Sequence, residues 1–226
     1  GGAVGTRGGG TSGGATTGMN GASQNTFIPL LNGFLFNSIR SSVTGTQIDS
    51  ICSNVIPKPI TGTLPVGGSG SYQYIWQKTY DLAVLPSVIG TATARDYTPS
   101  AVENSTFWVR RIIKDLSTSL TDTSKWVNII VQPAITGNLV GKDTTICYNQ
   151  NPLLLKPLNS GPSNGNGIYT YQWKQNYDNT DWTTSPDASG SASGLASFDP
   201  PALTATTYFR RVVTSGRCVD TGPTVT

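Results

Sequence analysis

Gly70-Ser71-Tyr72-Gln73-Tyr74-Ile75-Trp76-Gln77-Lys78 returns as Gly167-Ile168-Tyr169-Thr170-Tyr171-Gln172-Trp173-Lys174-Gln175, shifted by 97 positions. Aromatic residues fall on every second position, so Tyr72, Tyr74 and Trp76 share one face of a β-strand, and Tyr169, Tyr171 and Trp173 do the same. The match extends outward from this core. Upstream, Ser50-Ile51-Cys52 answers Thr145-Ile146-Cys147 at a shift of 95, and Tyr80-Asp81 answers Tyr177-Asp178 at 97. Downstream, Thr106-Phe107-Trp108-Val109-Arg110-Arg111-Ile112-Ile113 answers Thr206-Thr207-Tyr208-Phe209-Arg210-Arg211-Val212-Val213 at 100. Two copies of one unit stand in tandem. The drift in the shift places the insertions in Gly-, Ser- and Asp-rich stretches, where surface loops absorb changes of length.

Within each copy, short β-branched and aromatic runs alternate with Gly, Pro, Asn and Asp clusters at the spacing of a small β-sandwich. The sequence therefore predicts an all-β chain with no helix. Residues 1–24 hold ten glycines and read as a flexible linker. Residues 25–45, with Phe27-Ile28-Pro29-Leu30-Leu31 and Phe34-Leu35-Phe36, are apolar and need burial. They read as a strand packed on the first domain or on a neighbouring one, or as a segment donated to another subunit. Residues 46–133 form the first domain, closed by Trp126-Val127-Asn128-Ile129-Ile130-Val131, and 134–226 the second. Its last strand is expected to be incomplete at Thr226 and to be finished by following chain or by a partner. The short linker after Pro133 predicts copies standing end to end.

Composition narrows the function. Charged residues make up 12% of the 226, about half the ~25% of an ordinary globular domain, while Ser and Thr together number 54. There is no His and a single Glu, Glu103, so the residue types that carry most acid–base and metal chemistry are scarce. The net charge of +3 has no basic cluster beyond Arg pairs, which argues against nucleic acid. No apolar run approaches a membrane span. The start, Gly1-Gly2-Ala3, lacks Met and a signal region, so the chain reads as processed or as a fragment. Three cysteines in a hydroxyl-rich, low-charge chain favour a disulfide over a metal site and a place outside the cytoplasm.

The order Ile-Cys, Tyr-x-Trp, Thr-x-Tyr-x-Arg-Arg-Val-Val, Cys resembles the Ig-like repeats of very long surface adhesins of gliding and related bacteria that export through the type IX system. It is clearest in Thr144-Thr145-Ile146-Cys147, Tyr171-Gln172-Trp173, Thr206-Thr207-Tyr208-Phe209-Arg210-Arg211-Val212-Val213 and Cys218. The resemblance implies two tandem Ig-like β-sandwiches on the cell surface. The first copy departs from it, with no cysteine between Arg111 and Trp126, and residues 1–45 match nothing in it.

Trp76 and Trp173 stand where an immunoglobulin-type sandwich packs its central aromatic, and are expected in the core. Arg110-Arg111 and Arg210-Arg211 are adjacent on a strand, so one of each pair faces inward and must lie along an aromatic ring or meet a carboxylate. Cys147 and Cys218 flank matched strand blocks and are expected to form a disulfide within the second domain, leaving Cys52 free and buried near Trp126. Asp178-Asn179-Thr180-Asp181 groups hard oxygen donors on a turn that could bind calcium, but the first copy has Asp81-Leu82-Ala83 there, so no metal site is expected. Asp96 with Glu103, or Asp181 with Asp187, could pair as carboxylates without any accompanying nucleophile or His. No catalytic residue and no cofactor are expected. The functional expectation is a structural or adhesive repeat segment of a large extracellular surface protein. Its partners would be neighbouring repeats or subunits, with surface polysaccharide or outer-membrane export machinery as further ones. The alternatives are a filament subunit that uses strand donation, and an accessory or carbohydrate-binding region of a secreted enzyme.

Overall fold

The computed structural model describes residues 36–182 and 196–226. The Gly-rich stretch 1–24, residues 25–35 of the apolar segment, and Asp187 lie outside the described residues. Among the described residues every regular element is a strand.

Repeat 1 contributes β1 (Ile39–Ser41), β2 (Ile48–Cys52), β3 (Ile60–Gly62), β4 (Tyr72–Thr79), β5 (Ser87–Val88), β6 (Phe107–Asp115), β7 (Thr121–Thr123) and β8 (Val127–Gln132). Its large sheet runs β2-β8-β6-β4-β5, with β7 also on β6, and a second sheet pairs β1 with β3. All pairs are antiparallel except β2 with β8. Every second residue of β6 is buried, as a strand with one face on a core requires. Ile39 and Ile60 from the small sheet meet Ile51, Trp76, Phe107, Val109, Val127 and Ile129 from the large one. This is a β-sandwich. Trp76 has no exposed surface, and its indole N–H donates to Ala94 O at 2.9 Å.

Repeat 2 forms a sheet from β9 (Thr170–Asn176), β10 (Tyr208–Ser215) and β11 (Cys218–Thr221), ordered β11-β10-β9. Where repeat 1 has longer strands, repeat 2 keeps the pairing as single bridges. Val140↔Pro157 answers Ile39↔Gly62, Leu155↔Phe198 answers Ile60↔Tyr97, and Phe209↔Val225 answers Val109↔Val127. The core repeats as well, with Val140, Leu155, Trp173, Phe198, Phe209 and Val225 together and Trp173 fully buried. The two copies are the same Ig-like sandwich built with different strand lengths.

Residues 36–45 of the apolar segment divide by position. Asn37 and Ile39 belong to the interior of repeat 1, through a hydrogen bond to Asp122 O at 3.0 Å and through the core. Phe36 is exposed.

Candidate functional site

A buried arginine clamp recurs in both copies. Arg111 Nε donates to Asn37 Oδ1 at 3.1 Å, and Arg211 Nε to Asn138 Oδ1 at 2.8 Å. Each Asn amide returns a bond to the carbonyl of its own Arg and to the partner strand, at Asp122 O or Asp220 O. Arg111 also donates to Arg95 O and Thr63 O, and Arg211 to Ala196 O. Each guanidinium covers two rings of the neighbouring strand, Tyr74 and Trp76 in repeat 1 and Tyr171 and Trp173 in repeat 2. Burial pushes both arginines below their ordinary pKa. The outward members of the pairs stack as well, Arg110 4.6 Å from Trp126 and Arg210 4.1 Å from Trp182. These arginines hold the fold. Asn37 and Asn138 escaped the sequence reading, although both precede an apolar residue by two positions, at Ile39 and Val140.

The contact between the repeats is covalent. Cys218 is bonded to Cys52, with a Cα–Cα distance of 4.8 Å, and Cys147 is a free, exposed thiol. This corrects the expected Cys147–Cys218 pair and the expected free Cys52. The reason is strand direction. Cys52 ends β2, which runs parallel to β8 and so finishes beside the start of β6. The cysteine of the β10–β11 hairpin sits opposite Ser215, at the far end of β10. Within one repeat the two positions are separated by most of an eight-residue strand, roughly 25 Å at ~3.3 Å per residue, beyond any disulfide. Only the end of one repeat meeting the hairpin of the next brings them together.

Around the disulfide, the amide of Arg217 donates to Gln132 Oε1 at 2.8 Å and that of Gly165 to Pro133 O at 2.9 Å. Thr136 and Ser163 exchange two backbone bonds. Gly216 has φ +60, and a Cβ there would lie 2.6 Å from Gln132 Oε1, so the hairpin needs glycine both for its turn and for its approach. Ile135, Val213 and Cys218 pack with Cys52, Tyr169 and Tyr171. Arg217 reaches Asp49 only at 3.9 Å and is half exposed, so this ion pair contributes little.

At the other end of repeat 2 lies the position that matches Cys52. Residues 143–147 answer β2, and among the described residues the first rung of the parallel pairing is formed, Thr144 N–H to Thr226 O at 2.9 Å. A cavity of about 390 Å³ follows, lined among others by Ile146, Cys147, Leu155, Thr206, Phe209 and Thr226. In repeat 1, residues 129–132 of β8 fill this place between β2 and β6. Ile51 is accordingly 9% exposed and its counterpart Ile146 37%.

Residues 40–133 and 136–226 each match one protein family, described as Domain of unknown function (DUF8696). The chain belongs to this family. No curated protein matches the chain. Among solved structures, three N-terminal domains of the bacteriophage RB49 Highly Immunogenic Outer Capsid protein (Hoc) are similar at 15% identity and a TM-score of 0.49, covering 85% of this chain and 69% of that one. Drosophila OTK extracellular domains 3–5 are similar at 12% identity and a TM-score of 0.26, covering 78% and 60%.

In the DUF8696 repeats of this chain Glu103, Asp96 and Asp178 each have hydrogen-bond partners of their own. Glu103 accepts from Tyr80 at 2.8 Å and pairs with Lys78, whose ammonium lies over the rings of Tyr80 and Phe107. Burial alone would lower the Lys78 pKa, but its bonds to Glu103 and Tyr80 outweigh this and raise it. Asp96 pairs with Arg95 and accepts the Gly62 amide. Asp96 and Glu103 are thus each engaged by their own partners. Asp178 accepts the Thr180 amide at 3.0 Å as a turn residue, which holds its carboxyl below the usual range. Repeat 2 has Gln175 and Leu203 where repeat 1 has Lys78 and Glu103, so that buried pair is not a repeated feature.

Proposed function

We propose that this chain is a structural, adhesive segment of an extracellular cell-surface protein, a stretch of stalk in which DUF8696 repeats are stapled end to end. The observation that carries this reading is the bond between Cys52 of one repeat and Cys218 of the next. It fixes the spacing of two modules, which serves length and stiffness. Disulfides persist in oxidising environments, in keeping with a place outside the cytoplasm. What recurs in both copies is the core and the Arg–Asn clamp. A duplicated chemical site would have kept its carboxylates twice. Adhesion is then carried by loops or neighbouring domains. The likeness of the Ile-Cys to Arg-Arg-Val-Val pattern to surface adhesins of gliding bacteria supports surface polysaccharide and the type IX export machinery as partners, and the thin charge argues against nucleic acid.

Deletion of residues 36–226 from the full-length protein tests the proposal. Loss of surface attachment or gliding, with extracellular polymer degradation unchanged, is the expected result. Loss of a hydrolytic activity with adhesion intact would overturn it in favour of an enzyme-accessory role. One observation favours a second reading, a filament subunit: the cavity of about 390 Å³ beside residues 144–147 could accept part of a strand from another subunit. Concentration-dependent polymerisation of the purified chain would select it.

A further inference from the structure

We propose that Cys147 is the upstream half of a second staple, bonded to a cysteine at the Cys218 position of a further copy of the repeat, seated on the open end of repeat 2. The proposal deepens the stalk reading and rests on it only for the oxidising compartment.

Cys147 stands where Cys52 stands, in the backbone as well as in the sequence. Two residues after each cysteine is an Asn in the left-handed region, Asn54 and Asn149, both with φ 61. The amide of Asn54 donates to Glu103 O and that of Asn149 to Leu203 O, each at 2.8 Å. Val55↔Glu103 and Gln150↔Leu203 are the same bridge in the two copies. The local frame that presents Cys52 to the next hairpin therefore presents Cys147 too, and its thiol is exposed and free.

The fit selects the occupant. In repeat 2 the hairpin loop is only Gly216 and Arg217, and Cys218 follows at once opposite Ser215. In repeat 1 the same ladder position, opposite Asp115, is held by Leu120 after a longer loop. A hairpin of the first kind can staple to a repeat on its N-terminal side, and one of the second kind cannot. The Cys218 of repeat 2 itself is at the wrong end of β10 for Cys147. What fits is a third module with a hairpin like that of repeat 2. It would be received on a strand completing the cavity beside Cys147, as the end of β8 at Gln132 receives Arg217.

The bond forms by exchange with a dithiol–disulfide oxidant of that compartment. The Cys147 thiolate attacks the oxidant's disulfide and releases one of its thiolates. The hairpin thiolate then attacks Cys147 Sγ in the mixed disulfide and displaces the second thiolate. One S–S bond is made and one broken, two electrons pass to the oxidant, and the two protons end on its thiols.

Thr226 occupies the position of Asn128, so a copy of residues 129–226 appended directly after Thr226 continues the native register. This extended chain is produced in an oxidising compartment, blocked with iodoacetamide, and digested without reduction. The expected map has Cys52–Cys218 intact, Cys147 linked to the appended copy's Cys218, and the appended copy's Cys147 alkylated. Full alkylation of Cys147 with Cys52–Cys218 intact would overturn the proposal, as would a scrambled map. A second chain whose appended copy begins at residue 133 lacks the completing strand. Its Cys147 linkage should fall at least tenfold, and linkage of equal yield would overturn this seating. The map is read on the purified chain, so it can fail while the deletion phenotype holds, and the reverse.

Discussion

The buried guanidiniums of Arg111 and Arg211 take core positions that an aliphatic residue would otherwise fill, and they satisfy neutral oxygens there. Arg111→Leu removes these donors and leaves the part-buried Asn37 Oδ1, Arg95 O and Thr63 O without them, at a cost of about 1–3 kcal/mol. Arg111→Lys, with a point charge and no fork, should recover only part of it; urea unfolding would measure both. Gly62 has a linked role. A Cβ there would lie 1.9 Å from Arg111 Nη1 and 2.8 Å from Arg95 O, so Gly62→Ala should destabilise by about 1–3 kcal/mol. Asp115 makes the stability of repeat 1 depend on pH. The amide of Ser69, then the amides of Thr118 and Ser117 and the Ser69 hydroxyl, hold its carboxyl far below the usual range. Because the folded pKa is depressed, this stabilisation is fully present above the unfolded value near ~4 and is lost as pH falls below it. Asp115→Asn should flatten the acid limb of a melting-temperature profile, and an unchanged limb would refute the assignment. That one arginine of each pair faces inward could be read from adjacency on a strand, while its Asn partner could not, because Asn37 and Arg111 are joined only by the fold.

Single strands were the most legible elements, since aromatic alternation in β4 and β9 and the Arg-Arg-Val-Val type runs in β6 and β10 encode the face they bury. Cysteine pairing was not legible. It depends on which end of a sandwich each strand reaches, and β2 runs parallel to β8 where sequence order alone suggests no direction. The disulfide closes a sequence separation of 166 residues, for which the chain-entropy account gives a ceiling of about 5 kcal/mol. Cys218→Ser should therefore lower the melting temperature and separate the unfolding of repeat 1 from that of repeat 2 in calorimetry. Cys147→Ser, at an exposed and unbonded thiol, should change stability by less than about 0.5 kcal/mol. Equal effects of the two substitutions would contradict the pairing.

At the scale of the molecule, the staple decides where tension runs. A force applied along the chain from a residue before Cys52 to one after Cys218 passes through the S–S bond, so everything between those cysteines bears none of it. Most of repeat 1 and nearly all of repeat 2 are thereby shielded, and only β1, most of β2 and the short end after Cys218 can be drawn out. An arrangement of this kind suits a stalk that must keep its length under shear, because unfolding of the segment between the two cysteines cannot lengthen it while the bond holds. Single-molecule pulling from the two ends of the chain puts the idea at risk. In the oxidised chain, residues 53–217 should add nothing to the released length. With a reductant present, the 166-residue separation should be released, adding roughly 55–60 nm at 3.3–3.6 Å per residue. The same Cys218→Ser chain should give the long extension with or without reductant. Full extension of the oxidised wild-type chain would show that the repeats are not joined across their junction, and the stalk reading would lose the observation on which it rests.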